Sequence, residues 1–222
     1  MSTRIISIEE AVHGENDVVA QRNRERLLAS GVYTINVMSA PGSGKTELLF
    51  RTLCELKPQL RCAVVVGDIA TDNDARRLSK SGAEAIQITT NGYCHLDASM
   101  VARSLDAFDL PSLDLLVIEN VGNMVCPATF DLGESLRVAL LSVTEGEDKP
   151  LKYPLLFKRA DVVVVNKIDL ADAVGYDRTL AIENIASISP QARIFELSAR
   201  SGEGLDRWCD HLQACVLAEA AN

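Results

Sequence analysis

Val162-Val163-Val164-Val165 is the plainest of several runs in which apolar residues stand side by side instead of alternating with polar ones; 62–66, 113–118 and 136–143 are others. A strand of this kind has both faces buried, which a sheet with one wet face does not offer. Further strands are predicted at 33–38, 85–88 and 193–197, and helices at 17–29, 72–80, 96–108 and 204–220. Strands that alternate with helices in this way predict an α/β fold of three layers, a mostly parallel central sheet flanked by helices. The 222 residues suit one such domain, 1–222, with 1–31 as an N-terminal helical extension. The most loop-like interior stretch is 144–153, with Gly146, Lys149 and Pro150.

The sheet class decides where chemistry can sit. Ligands of parallel sheets bind in the crevice at the C-terminal ends of the strands. Each candidate motif of this chain falls at such an end. Directly after 33–38 comes Ser39-Ala40-Pro41-Gly42-Ser43-Gly44-Lys45-Thr46, and a helix is expected to start there. This is a phosphate-binding loop, and the fold expected is that of the P-loop NTPases. Gly42 and Gly44 let backbone N–H groups converge on phosphate oxygens. Lys45 supplies positive charge for the β- and γ-phosphates, Thr46 offers a hydroxyl to Mg²⁺, and the helix dipole favours the anion. Pro41, Gly42, Ser43, Gly44, Lys45, Thr46 and Glu47 are the expected nucleotide-contacting residues, although Ser39 stands where the common pattern has glycine.

Asn166-Lys167-Ile168-Asp169 follows the valine strand. The Asp169 carboxylate can accept from a ring N–H and an exocyclic amine, a pairing guanine offers and adenine does not. Asn166 and the Lys167 stem would hold the loop and the ring face. Ser198-Ala199, at the end of the last strand, matches a second base-contacting loop. The ligand expected is therefore GTP or GDP with Mg²⁺. Glu119-Asn120-Val121-Gly122 ends another strand, with Glu119 as the acid of the Mg²⁺ shell and Gly122 as the γ-phosphate sensor. Asn123 stands where some GTPases place a water-orienting glutamine, which implies slow intrinsic hydrolysis. Asp68 is a candidate for Mg²⁺ binding or water activation. Asp72 is a second, with a dipole-favoured acid at a helix start as its alternative.

Cys94-His95 and Cys126 lie in loops after neighbouring strands. Two thiolates and an imidazole suit Zn²⁺ or Ni²⁺. Three ligands leave such a site incomplete, and two chains facing each other could complete it. A buried cysteine and a satisfied loop histidine are the alternative. The remaining cysteines, 54, 62, 209 and 215, read as structural, and His13 and His211 as isolated.

Composition narrows the partners. A net charge of −9 opposes a nucleic-acid backbone as ligand. No apolar run reaches the roughly 18–20 residues of a membrane span. The residues from Met1 to Glu10 lack an apolar signal core, and six cysteines without one suggest reduced thiols. A cytoplasmic location is expected.

Gly-Tyr-Cys-His-Leu-Asp-Ala, Glu-Asn-Val-Gly-Asn-Met-Val-Cys-Pro-Ala and Ser-Val-Thr-Glu-Gly-Glu-Asp-Lys-Pro-Leu-Lys-Tyr-Pro follow the phosphate loop in order, ahead of Asn-Lys-Ile-Asp. Together they resemble the hydrogenase nickel-incorporation GTPases, the HypB family of the dimerising SIMIBI branch, over residues 32–212. The resemblance implies a GTP-hydrolysing metallochaperone that delivers nickel during [NiFe]-hydrogenase maturation. It implies a GTP-dependent homodimer, a small zinc-containing accessory partner and the hydrogenase large subunit as client. It also implies that Cys94, His95 and Cys126 form the metal site. Some members carry an N-terminal cysteine motif or histidine-rich tract; this chain begins Met-Ser-Thr-Arg, so the metal role is expected to rest on that site. The urease accessory GTPases are a neighbouring reading, but there a proline separates Cys from His. A non-catalytic metal-storage or scaffold protein is the reading from another class.

Overall fold

The computed structural model describes residues 8–220, with side chains from residue 13. The elements are α1 (Ile8–Ala29), β1 (Tyr33–Ser39), α2 (Lys45–Leu56), β2 (Cys62–Asp68), α3 (Asn73–Ser79), β3 (Glu84–Thr89), α4 (Ala98–Leu105), β4 (Leu115–Glu119) and β5 (Leu136–Ser142). There follow α5 (Lys149–Lys152), α6 (Pro154–Lys158), β6 (Val162–Asn166), α7 (Ala171–Val174), α8 (Arg178–Ile188), β7 (Arg193–Glu196) and α9 (Leu205–Ala220). The strands form one sheet in the order β3-β2-β4-β1-β5-β6-β7, and every pairing is parallel.

The side-by-side apolar residues divide between the two faces. Val64 and Val66 pack beneath α2, α3 and α9, with Leu49, Leu53, Leu78 and Trp208. Their neighbours Ala63 and Val65 turn to the other face and meet Val101 and Leu105 of α4 and Leu27 of α1. Val163 and Val165 do the same toward Phe157 of α6 and Ile185 of α8. The period of two along a strand thus fills two cores at once. The indole of Trp208, fully buried, donates to Thr52 Oγ1 at 3.0 Å, so no buried donor is left over there.

β1 lies between β4 and β5, and the chain crosses from one side of β1 to the other after β4. The loops after β1, β4 and β5 therefore open on one crest, and the β2 and β6 loops flank it. Register keeps the motif residues level. Glu119 pairs with Val37 of β1 and Val66 of β2, and Ser142 pairs with Asn166.

Several segments depart from expectation, among them α6 and α7, which the sequence pattern does not indicate. The 144–153 stretch is not open loop: a 3₁₀ turn, Val143–Glu145, and α5 occupy most of it. Pro150 sits where a helix start tolerates it, and Asp148 O accepts from Leu151 and Lys152. α1 begins at Ile8, well before residue 17, and Asn16, just ahead of the expected start, is buried and polar. α8 was not foreseen. Its leucine and isoleucines lie all round the helix, with Leu180 exposed and Ile185 buried, so no period stands out. The reading of 1–10 as free of a signal rests largely on residues outside those described. Among the described residues no helix is long and apolar enough to cross a membrane.

Candidate nucleotide and metal sites

A cleft of about 540 Å³ opens on the crest, lined by Pro41, Gly42, Gly44, Lys45, Thr46, Glu47, Asp68, Asp74, Arg77, Glu119, Gly122 and Lys167 among others. The phosphate loop is held from three sides. Gly44 has φ of 95°, and a Cβ there would lie 2.6 Å from Asn166 Nδ2, so both the conformation and the space demand glycine. Lys45, almost wholly buried, rests its Nζ on Ser39 Oγ at 3.2 Å. The serine that replaces the usual glycine thus gives the ammonium a partner. Lys167, in the left-handed region at φ 63°, donates from Nζ to Gly42 O at 2.7 Å.

Asn166 joins three loops. Its Nδ2 donates to Ser43 O at 2.9 Å, and its Oδ1 accepts from Ala199 N at 3.0 Å. Ser198, fully buried, takes Ser201 N on its hydroxyl at 3.0 Å. Asp169 stays exposed on the 3₁₀ turn Ile168–Leu170, next to the loop that Asn166 and Lys167 hold. The base-side residues are therefore brought together around the phosphate loop.

Thr46 Oγ1 donates to Glu119 Oε1 at 2.7 Å, whereas Glu119 Oε2 is buried without a partner. Burial pushes the Glu119 carboxyl up to about 7, although Lys45 and Thr46 pull it down. Asp68 Oδ1 accepts from Ala70 N and Thr71 N, both at 2.8 Å, at the cleft wall. A buried carboxylate oxygen with no donor, a hydroxyl and a second carboxylate are the oxygen donors a Mg²⁺ ion takes. The residues fit that ion. Gly122 lies against the phosphate loop so closely that a Cβ would come within 3.1 Å of Pro41 Cα.

Asp72 stands at the N-cap of α3. Its carboxylate pairs with Arg76 at 2.8 Å, one turn along, and it is not among the cleft residues. α3 starts at Asn73, and that phase turns Asp74 and Arg77 toward the cleft instead. Arg77 forms an ion pair with Glu47. Asp74 and Arg77 are not among the residues the sequence pattern singles out, although residues three apart on a helix share a face. Asn123 turns toward the Cys94 loop. Its amide donates to Cys94 O at 3.3 Å and accepts from Val125 N at 2.9 Å, so it straps the metal loop and does not face the cleft.

Cys94, His95 and Cys126 converge, with their ligand atoms all within 4.8 Å of one another. Cys94 Sγ is 3.9 Å from His95 Nδ1. Cys126 opens the 3₁₀ turn Cys126–Thr129, whose following residue, Phe130, stacks on the His95 ring at 4.0 Å and 18°. His13 is not isolated: its ring lies 4.9 Å from the other rings' partner, Phe130. Burial holds His95 below the ordinary imidazole range, with Asp97 opposing and His13 adding to the effect. The hydrogen bond with Cys94, then burial, pushes the Cys126 thiol up. An imidazole beside two thiols is a borderline-soft donor set suited to Ni²⁺ or Zn²⁺ once the thiols lose their protons. Exposed Tyr93 and Val125 flank it.

A parallel sheet whose crest carries a phosphate loop defines a P-loop nucleotide-binding protein, here with a cysteine–histidine cluster beside the loop. Residues 33–196 match the CobW/HypB/UreG nucleotide-binding domain. The hydrogenase maturation factor HypB of Escherichia coli K12 is 47% identical over 210 residues, 95% of this chain and 72% of that protein. A crystal structure of HypB from Helicobacter pylori in complex with nickel is 40% identical, with a TM-score of 0.88, covering 93% of this chain and 97% of that one. HypB from Archaeoglobus fulgidus is 41% identical with a TM-score of 0.86, over 91% and 99%. The chain belongs to the HypB family of hydrogenase maturation factors.

Proposed function

We propose that this chain is a GTP-hydrolysing metallochaperone that delivers nickel during maturation of [NiFe]-hydrogenase. GTP lies in the crest cleft, its phosphates on the Gly42–Thr46 backbone and Lys45, its guanine against Asp169. Thr46, Glu119 and Asp68 would hold Mg²⁺, which neutralises phosphate charge. Nickel is cargo at Cys94, His95 and Cys126, and a second copy of the chain completes the coordination in a GTP-dependent homodimer. The recipients are the small zinc-containing accessory protein and the hydrogenase large subunit. The single observation that carries this reading is that one short segment reaches both places: Glu119 and Gly122 line the cleft, and Cys126 belongs to the Cys94–His95–Cys126 cluster.

Linked sites obey reciprocity, so nickel must alter GTP affinity by the factor by which GTP alters nickel affinity. The test is titration of nickel and zinc into the purified chain with GDP and with a non-hydrolysable GTP analogue, with mass measured in each state. Metal affinity should depend on the nucleotide, and Cys126→Ser should lower it without loss of fold. Single-turnover GTP hydrolysis should vanish in Lys45→Ala. Hydrolysis unaffected by that change would favour the storage or scaffold reading, and identical metal isotherms in both nucleotide states would sink the linkage.

A further inference from the structure

Polar side chains inside the sheet layer need partners, and three of them here form one connected path. Asn120 is 1% exposed, Asn36 in the middle of β1 is 0% and Glu134 is 6%. Asn120 Oδ1 accepts from two backbone amides: Leu96 N at 3.2 Å and Val121 N at 2.9 Å. Leu96 follows the metal ligand His95, and Val121 precedes the phosphate-side Gly122. On its other end, Asn120 Nδ2 donates to Asn36 Oδ1 at 3.2 Å. Asn36 Nδ2 in turn donates to Glu134 Oε1 at 3.3 Å. Glu134 is neutralised by Arg137 Nε at 2.6 Å, and its Oε2 accepts from Leu132 N at 2.8 Å. Leu132 ends the segment that carries Cys126 and Phe130. One amide therefore touches the phosphate-side loop and the Cys94–His95 loop directly, and reaches the Cys126 segment through β1.

We infer that Asn120 is a positioning residue that transmits nucleotide state to the metal site, an inference that rests on the linked-site reading above. The physical ground is that a single acceptor oxygen serves both loops. If Val121 and Gly122 move on meeting a γ-phosphate, Oδ1 must follow Val121 N or give up its bond, and Leu96 N moves or loses its partner with it. A buried amide left without a partner is costly, so the two loops move together. Leu96 is also braced from below: its side chain covers Gly67, where a Cβ would meet it at 2.7 Å, one residue before Asp68. Asparagine is required at this place because it supplies both an acceptor for the loops and a donor for Asn36.

The experiment compares nickel and zinc affinity with GDP and with the GTP analogue, in the wild-type chain and in three variants. Asn120→Leu has nearly the same shape and no acceptor; Asn120→Ala is the second choice should leucine disturb folding, which circular dichroism reports. Asn120→Asp keeps the acceptor for both loops but replaces the donor with a carboxylate oxygen facing Asn36 Oδ1 in a buried place, so its fold is checked by circular dichroism in the same way. Allosteric factors are typically about 5–150-fold. The wild-type factor should fall to within about twofold of unity in the leucine or alanine variant, with GDP-state metal affinity held near wild type, and should survive in the aspartate variant. A factor unchanged in leucine or alanine overturns the inference alone. A wild-type factor of unity overturns the linked-site reading and this inference with it. In the wild-type chain, hydrogen exchange at the Leu96 amide should differ between the two nucleotide states, and equal protection would count against the inference even if no variant folded.

Discussion

Glu119→Gln isolates one buried carboxyl whose energetics follow from its surroundings. In the nucleotide-free chain this group rises from 4.5 to about 7, chiefly through burial. The folded state thus holds its proton across a window in which the unfolded chain has released it. The contribution to stability is complete below pH 4.5 and is lost as pH rises toward about 7. A shift of that size corresponds to roughly 3 kcal/mol. Glutamine keeps the shape and an acceptor for Thr46 Oγ1, and it cannot ionise. Urea unfolding with chelator and no nucleotide, at pH 5 and at pH 8, provides the assay. Wild type should lose about 2–3 kcal/mol more than the variant over that interval. Adding Mg²⁺ with GDP at pH 8 should stabilise the wild type, because a ligand that binds only the folded state adds to its stability. The variant should gain much less. Parallel pH profiles within about 0.5 kcal/mol would refute the burial argument, and equal stabilisation of wild type and variant by Mg²⁺ with GDP would refute the cation role assigned to Oε2.

Asp169→Asn should exchange guanine for xanthine preference, since the amide reverses the donor pattern the base meets; GTP turnover left intact would detach Asp169 from base reading. Gly44→Ala forces a Cβ to 2.6 Å from Asn166 Nδ2 at a φ of 95°. It should cost about 1–3 kcal/mol in thermal or urea unfolding and remove nucleotide binding, and a variant as stable as wild type would show that the loop relaxes at no cost.

What could be read in the sequence was whatever depends on local pattern. Paired apolar residues such as Val163 and Val164 announced a sheet buried on both faces, and the sheet class then placed every motif on one crest. Cys94, His95 and Cys126 could be proposed as partners because parallel strands bring successive loops to the same edge, and they do converge. What stayed hidden depends on phase and on three-dimensional neighbours. Asp72 and Asp74 are indistinguishable until α3 has a starting residue, and the roughly 200° between them on the helix decides which faces the cleft. His13 lies more than eighty residues before His95, and both rings pack on Phe130, which no spacing encodes.

Asn36 is the instructive case between these extremes. Asparagine is depleted in strands, and here it sits at the centre of one, between Ile35 and Val37. Stability alone would favour valine there, because a buried amide must be fully satisfied to break even. Its satisfaction requires Asn120 on one side and Glu134 on the other, both outside β1. A fully buried amide at the centre of a strand, flanked by Ile35 and Val37, is thus a sign that something above the strand must be held in place. What it holds is the amide shared by the phosphate-side and metal loops. A strand that gives up apolar packing at the point between two ligand sites has been shaped by the relation between those sites as much as by the fold.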